Sequence, residues 1–137
     1  MNSPTSTTKK HLGSCHCGTV KIEADLDTEV ATRCNCTICT KLGCVGTMAK
    51  VDTFRVVAGE DALGGYVITS AAKRFFCKRC GVYLFGMGHV PEIGGDFVSV
   101  NLNILDDIDP GLLSVRHWDG RHDNWMAGMR DEAWPIR

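Results

Sequence analysis

Eight cysteines stand among 137 residues, and seven of them fall into three tight clusters. Cys15 and Cys17 form C-x-C; Cys34, Cys36 and Cys39 form C-x-C-x-x-C; Cys77 and Cys80 form C-x-x-C; and Cys44 follows the central cluster. Thiolates at such spacings are metal ligands before anything else. Zinc takes sulfur at about 2.3 Å in a tetrahedron, so neighbouring sulfurs must lie roughly 3.8 Å apart. Side chains two residues apart in an extended segment share a face, so C-x-C can deliver two thiolates to one ion. C-x-x-C reaches the same end through a tight turn. A glycine directly after the second cysteine, as in Cys17-Gly18 and Cys80-Gly81, accepts the positive φ that turns backbone N–H groups toward the sulfurs. Such contacts favour the ionised thiol.

Counting ligands suggests two sites. Cys15, Cys17, Cys77 and Cys80 complete a closed four-sulfur structural site. Cys34, Cys36 and Cys39 supply three ligands from one loop, and three protein ligands with a free fourth position is the arrangement of a catalytic zinc. Alternatives stay open for Cys44: it closes the second site as a fourth ligand, or it remains a free thiol. A thioredoxin-like redox pair is a further use of C-x-x-C, but it belongs in a βαβ setting that this sequence does not display.

Spacing singles out no catalytic acid or base. His16, His89, His117 and His122 are candidates for moving a proton, and Lys73, Arg74, Arg116 and Arg121 for meeting an anionic group. Each reads equally well as an ordinary surface or structural side chain. Trp118, Trp125 and Trp134 read first as packing residues and second as a substrate wall.

Strands must position these groups. "TVKIEADL" (19–26) and "FVSVNLNIL" (97–105) alternate apolar and polar residues, the pattern of a half-buried strand. Residues 53–60, 64–70, 72–77 and 81–88 are further β-type runs set apart by glycine or polar turns. The one helical signal is a turn or two beginning near Thr37, where Cys36, Cys39 and Leu42 share a face. A mainly β, mostly antiparallel domain over residues 11–137 is expected, after a solvated tail at 1–10. Apolar residues at 44% and charged residues at 23% suit a globular chain. Fifteen basic residues against sixteen acidic ones give a charge of −1, which argues against a nucleic-acid partner. No apolar run spans a membrane and no signal-peptide pattern opens the chain. A cytoplasmic, reducing compartment is therefore expected, and there metal binding outranks disulfides.

The order of these motifs, in "GSCHCGTVKIE", "RCNCTIC", "GEDALGGY", "FFCKRCGVYLF" and "HWDGRHDNW", resembles the glutathione-dependent formaldehyde-activating enzymes, whose domain also occurs in centromere protein V. The resemblance runs from about Leu12 to about Trp125. It implies a β-tent fold of small antiparallel sheets around a structural zinc held by Cys15, Cys17, Cys77 and Cys80. It also implies a catalytic zinc on Cys34, Cys36 and Cys39. The implied activity is that of a carbon–sulfur lyase acting on a small thiol adduct of the S-hydroxymethylglutathione type. Two other uses of the fold stay open: a non-catalytic zinc module that binds another protein, and a redox enzyme of methionine-sulfoxide-reductase type, for which Cys44 is the free cysteine. A homo-oligomer is compatible with each.

Overall fold

A computed structural model describes residues 7–91 and 94–137. The chain is mainly β, as expected. Its strands are β1 (Thr8–Ser14), β2 (Lys21–Asp27), β3 (Ala31–Cys34), β4 (Gly46–Ala49), β5 (Arg55–Ala58), β6 (Leu63–Thr69), β7 (Ala72–Cys77), β8 (Tyr83–Val90), β9 (Gly95–Asn101) and β10 (Val115–Trp118). The helix α1 covers Thr37–Leu42, and several short 3-10 turns fill the connections. Strands β1-β2-β5 form one sheet, and β10-β3-β4-β9-β8-β7-β6 form a second.

The alternation along β2 is realised directly. Ile22, Ala24 and Leu26 are buried, while the residues between them reach toward solvent. From the larger sheet, Leu84, Val98 and Val100 close the other side of the same core. Phe85 lies at the centre of an aromatic stack, 4.6 Å from Phe54 and 4.7 Å from Phe75 between ring centroids. Burying a ring of this kind contributes about 1.5–3 kcal/mol before any stacking term. Backbone bonds also tie β1 to the segment that follows β9. Asp106 N–H donates to the Leu12 carbonyl at 2.9 Å, and Gly13 bridges to Leu105.

The structure departs from the sequence reading in three places. Residues Thr8–Lys10 are not tail: they pair with Asp27–Asp25 at the outer end of β1. Their side chains are exposed, so their polarity carried no sign of the strand. Residues 1–6 of the expected tail lie outside the described residues. The run at 97–105 does not stay extended. Strand β9 stops at Asn101, whose side-chain oxygen accepts the Asn103 N–H at 3.1 Å and starts a 3-10 turn. Finally, β10 pairs with β3 in parallel, within sheets otherwise antiparallel. A parallel neighbour cannot be reached by a tight turn, and here the connection from β3 to β10 runs through residues 35–114, its last part, 102–114, carrying the chain from β9 back to β3.

Among the described residues no helix is long and apolar enough to cross a membrane.

Candidate metal centres

The sulfurs of Cys15, Cys17, Cys77 and Cys80 all lie within 4.8 Å of one another. Cys15 and Cys17 are 3.6 Å apart, and Cys17 and Cys77 are 3.7 Å apart, close to the edge of a zinc–thiolate tetrahedron. Two similar loops deliver them. In the first, Cys15 N–H bonds the Val20 carbonyl at 3.1 Å and Gly18 N–H bonds the Cys15 carbonyl at 3.0 Å. In the second, Cys77 N–H bonds Val82 at 3.0 Å and Gly81 N–H bonds Cys77 at 2.8 Å. Gly18 and Gly81 each take φ +79°, the left-handed turn expected of them. The turn aims N–H groups at sulfur: Val20 N–H lies 3.3 Å from Cys15 Sγ, and Arg79 N–H lies 3.3 Å from Cys77 Sγ.

The placement of these loops matters as much as their shape. Cys15 follows β1 of the small sheet, and Cys77 ends β7 of the large one. The four sulfurs therefore join the two sheets at one point. Cys15 and Cys77 are buried within the core cluster.

The second group is Cys34, Cys36 and Cys39, whose sulfurs also lie within 4.8 Å of one another. Cys34 ends β3, Cys36 occupies the extended position before α1, and Cys39 sits in the helix. Gly43 ends the helix in the left-handed region at φ +64°. Cys44, the next residue, touches Cys39 but falls outside the three-sulfur group. Three thiols this close cannot all ionise unaided. Hydrogen bonds from Cys34 and Cys39 pull the Cys36 thiol far down, and the same contacts push Cys34 and Cys39 up. A bound divalent cation is what lets neighbouring thiols lose their protons together. Both clusters could hold a metal ion.

The "HWDGRHDNW" stretch supports the trio from behind. Asp119, 5% exposed, accepts Asn35 Nδ2 at 2.9 Å and Asn124 Nδ2 at 3.2 Å, with His122 Nδ1 2.8 Å away. Arg121 returns to the same loop, its N–H on Asn35 Oδ1 at 2.9 Å and its Nε on the Asn35 carbonyl at 2.8 Å. Burial pushes the Asp119 carboxyl up, but the hydrogen bonds from Asn35, His122 and Asn124 outweigh it and hold the group below the usual range. A depressed carboxyl stabilises the fold above its unfolded value near pH 4, and that support is lost as pH falls through the lower folded value. Thermal unfolding followed from pH 7 to pH 3 should therefore show a steeper acid loss in the wild type than in Asp119→Asn.

Gly120 is a matter of space. A Cβ there would stand 2.5 Å from Cys34 Sγ and 2.7 Å from the Trp125 ring. Gly120→Ala should displace Cys34 and weaken metal binding at the trio by tenfold or more, on the scale of losing a supporting contact. A competition titration against a chelator measures this.

Two recesses open onto the trio. One, of about 120 Å³, is lined by Cys34, Cys36, Cys39, Cys44, Arg74 and apolar groups including Phe97, Trp118 and Trp125. The other, of about 260 Å³, shares Cys34, Cys39 and Cys44 but adds Arg33, Thr40, His117 and Trp134. Arg74 donates from Nη2 to Cys39 Sγ at 3.3 Å and from Nη1 to Tyr83 Oη at 2.9 Å. Burial pushes the Tyr83 phenol up to about 12, with the Arg74 charge acting against that rise.

Of the polar residues singled out by sequence, Arg74, Arg121, His117 and His122 come to the trio or its recesses. Others do not. His16 is exposed beside the four-sulfur cluster, and His89 pairs with Asp96 at 2.7 Å on strands β8 and β9. Arg116 meets Asp131 at 3.4 Å, and Lys73 lies over the Phe75 ring at 5.1 Å. Trp118 and Trp125 pack together at 5.8 Å and also line the smaller recess. Sequence reasoning missed Asn35, Asp119 and Tyr83. Asn35 had one signal, its place between Cys34 and Cys36.

Relatives bear on this geometry. A sequence profile described as glutathione-dependent formaldehyde-activating enzyme matches residues 10–125. A protein of Phaeosphaeria nodorum, provisionally named a glutathione-dependent formaldehyde-activating enzyme, is 37% identical over 97 residues, covering 65% of this chain and 51% of its own. One from Pyrenophora teres f. teres, named likewise, is 39% identical over 98 residues with the same coverage. The chain thus spans about half the length of the curated relatives it matches. A crystal structure of a Rhodobacter sphaeroides protein superposes with TM-score 0.67 at 33% identity, over 73% of this chain and 92% of that one. With the profile spanning most of its length and the sulfurs gathered into two groups, the chain belongs to the glutathione-dependent formaldehyde-activating enzyme family.

Proposed function

We propose that the protein is a zinc-dependent enzyme that makes or breaks the carbon–sulfur bond between a small thiol and formaldehyde, a carbon–sulfur lyase on an adduct of the S-hydroxymethylglutathione type. One observation carries the reading. The trio gathers three sulfurs at the wall of a recess and leaves Cys44 outside the group, whereas the other cluster is complete at four. An all-sulfur donor set at tetrahedral spacing suits zinc in both places. Cys15, Cys17, Cys77 and Cys80 would hold the structural ion, and Cys34, Cys36 and Cys39 the catalytic one. When bound, the second ion supplies stabilisation of a substrate thiolate at neutral pH.

The remaining work falls to the chain itself. The Asn35–Asp119–Arg121 network fixes the loop that presents the trio. Phe97, Trp118 and Trp125 give the smaller recess an apolar wall, beside which electrostatic contacts are stronger than in open water. Arg33, Thr40 and His117 give the larger recess the polar lining that the body of an anionic thiol requires. The family and the names of the relatives support the glutathione and formaldehyde parts of the proposal. The cytoplasm, with its millimolar-scale thiols and reducing poise, is the compartment in which such a site works.

Cobalt in place of zinc makes the test visible. Adding glutathione to the cobalt protein should change the thiolate-to-metal absorption bands, and the Cys36→Ser protein should show no such response. An unchanged wild-type spectrum would overturn the proposal.

A further inference from the structure

Arg74 lies where a strand residue would ordinarily meet a neighbour's side chain. Its partner across β7 and β8 is Gly86, and a Cβ at that glycine would come within 2.9 Å of Arg74 Nη1 and 3.0 Å of Tyr83 Oη. The bare glycine leaves the slot in which the guanidinium rests. Among the described residues no carboxylate stands within ion-pair distance of Arg74. Its hydrogen-bond partners are a phenol oxygen and a sulfur, which occupy two of its five N–H donors. The Cys39 sulfur, a thiolate if the trio holds a metal, meets one end of the guanidinium, and the donors left over have no anionic partner among the described residues. Arg74 is also the one charged side chain among the described residues lining the smaller recess.

We propose that Arg74 receives the aldehyde oxygen in that recess and holds it as it becomes an alkoxide, with Tyr83 and the Gly86 slot fixing the guanidinium. The inference rests on the function proposed above. A recess of about 120 Å³ has room for a one-carbon molecule and a few waters, not for a tripeptide. The body of the thiol therefore lies in the larger recess, which is lined by Arg33 and shares Cys34, Cys39 and Cys44 with the smaller one.

The bond changes balance without further reagents. The thiol gives its proton to solvent, and its sulfur attacks the carbonyl carbon. As the sulfur–carbon bond forms, the carbon–oxygen π pair moves to oxygen. The alkoxide rests on the Arg74 donors, then takes a proton from water, so that thiol plus formaldehyde gives the hydroxymethyl thioether. Release runs the same steps backward. Arg74 keeps its own proton throughout, acting as a preorganised donor to charge that develops only in the transition state.

Arg74 also touches Cys39, so a purely structural role as counter-ion to the thiolates must be separated from this one. Formate, a planar one-carbon oxyanion, is the probe. Titrated into the zinc-loaded protein, it should shift the indole signals of Trp118 and Trp125 in the wild type and fail to do so in Arg74→Gln. The rate of adduct formation should fall by 10²–10³-fold in that variant, the usual loss for one oxyanion donor, with KM for the thiol little changed. Arg74→Lys keeps the charge, and therefore the metal, should the glutamine variant shed it; it should still lose tenfold or more in kcat. Undiminished formate binding and rate in a metal-replete Arg74→Lys or Arg74→Gln protein would overturn the inference. A wild type that never accelerates adduct formation would instead remove the underlying function.

Discussion

Cys77→Ser should unfold the protein, not merely inactivate it. Cys77 is fully buried, closes β7 and stands 3.7 Å from Cys17 across the junction of the two sheets. The small sheet meets the large one through the shared apolar core and through this cluster, which ties the end of β1 to the end of β7. Metal affinity at a structural site is folding free energy, with apparent values of about 10–16 kcal/mol for zinc at thiolate sites. Whole domains are stable by only about 5–15 kcal/mol. Weakening one ligand of four therefore removes an amount comparable with the entire stability, and a buried hydroxyl without a metal adds a cost of its own. Circular dichroism and thermal melting measure the outcome. Loss of the cooperative transition is expected; a melt within a few degrees of the wild type would mean that the cluster holds nothing.

Cys36→Ser should do the reverse, abolishing activity in a folded protein. Helix α1 buries none of its residues, and the trio lies at the edge of the core rather than within it, so few packing contacts depend on it. The fold should survive with a melting shift of a few degrees, in line with ordinary partly exposed substitutions. Function has no such margin. Losing the central sulfur, to which both Cys34 and Cys39 donate, leaves two thiols for an ion that needs three. A fall of 10³-fold or more in the thiol–formaldehyde rate is expected, the scale on which the loss of a principal catalytic group is felt. The pair of variants together separates a structural cluster from a catalytic one: equal effects on stability would argue that the two sites are of one kind.

How far these roles could be read from the chain depends on the range of each interaction. The cysteines were legible because C-x-C and C-x-x-C fix sulfur separation within a few residues, whatever the rest of the fold does. The alternation in β2 and the helical start at Thr37 were legible for the same local reason. The structure adds what is set at a distance. Asn35 and Asp119 are 84 positions apart, and no local pattern links them until β10 is laid parallel on β3. Arg74 sits in "AAKRFFC" beside Lys73 and reads there as one of two ordinary charges. Only the pairing of β7 with β8 sends it toward Tyr83 and Cys39 while Lys73 stays outside over Phe75. The exposed start of β1 went unread because an edge segment with polar side chains has no periodicity to show.

Native mass spectrometry of the intact zinc-loaded protein weighs the central proposition without reference to any substrate. Two ions per chain are expected, one for each sulfur cluster, falling to one in Cys36→Ser. A bare chain, or one lighter by the hydrogens lost to disulfides between these cysteines, would contradict it.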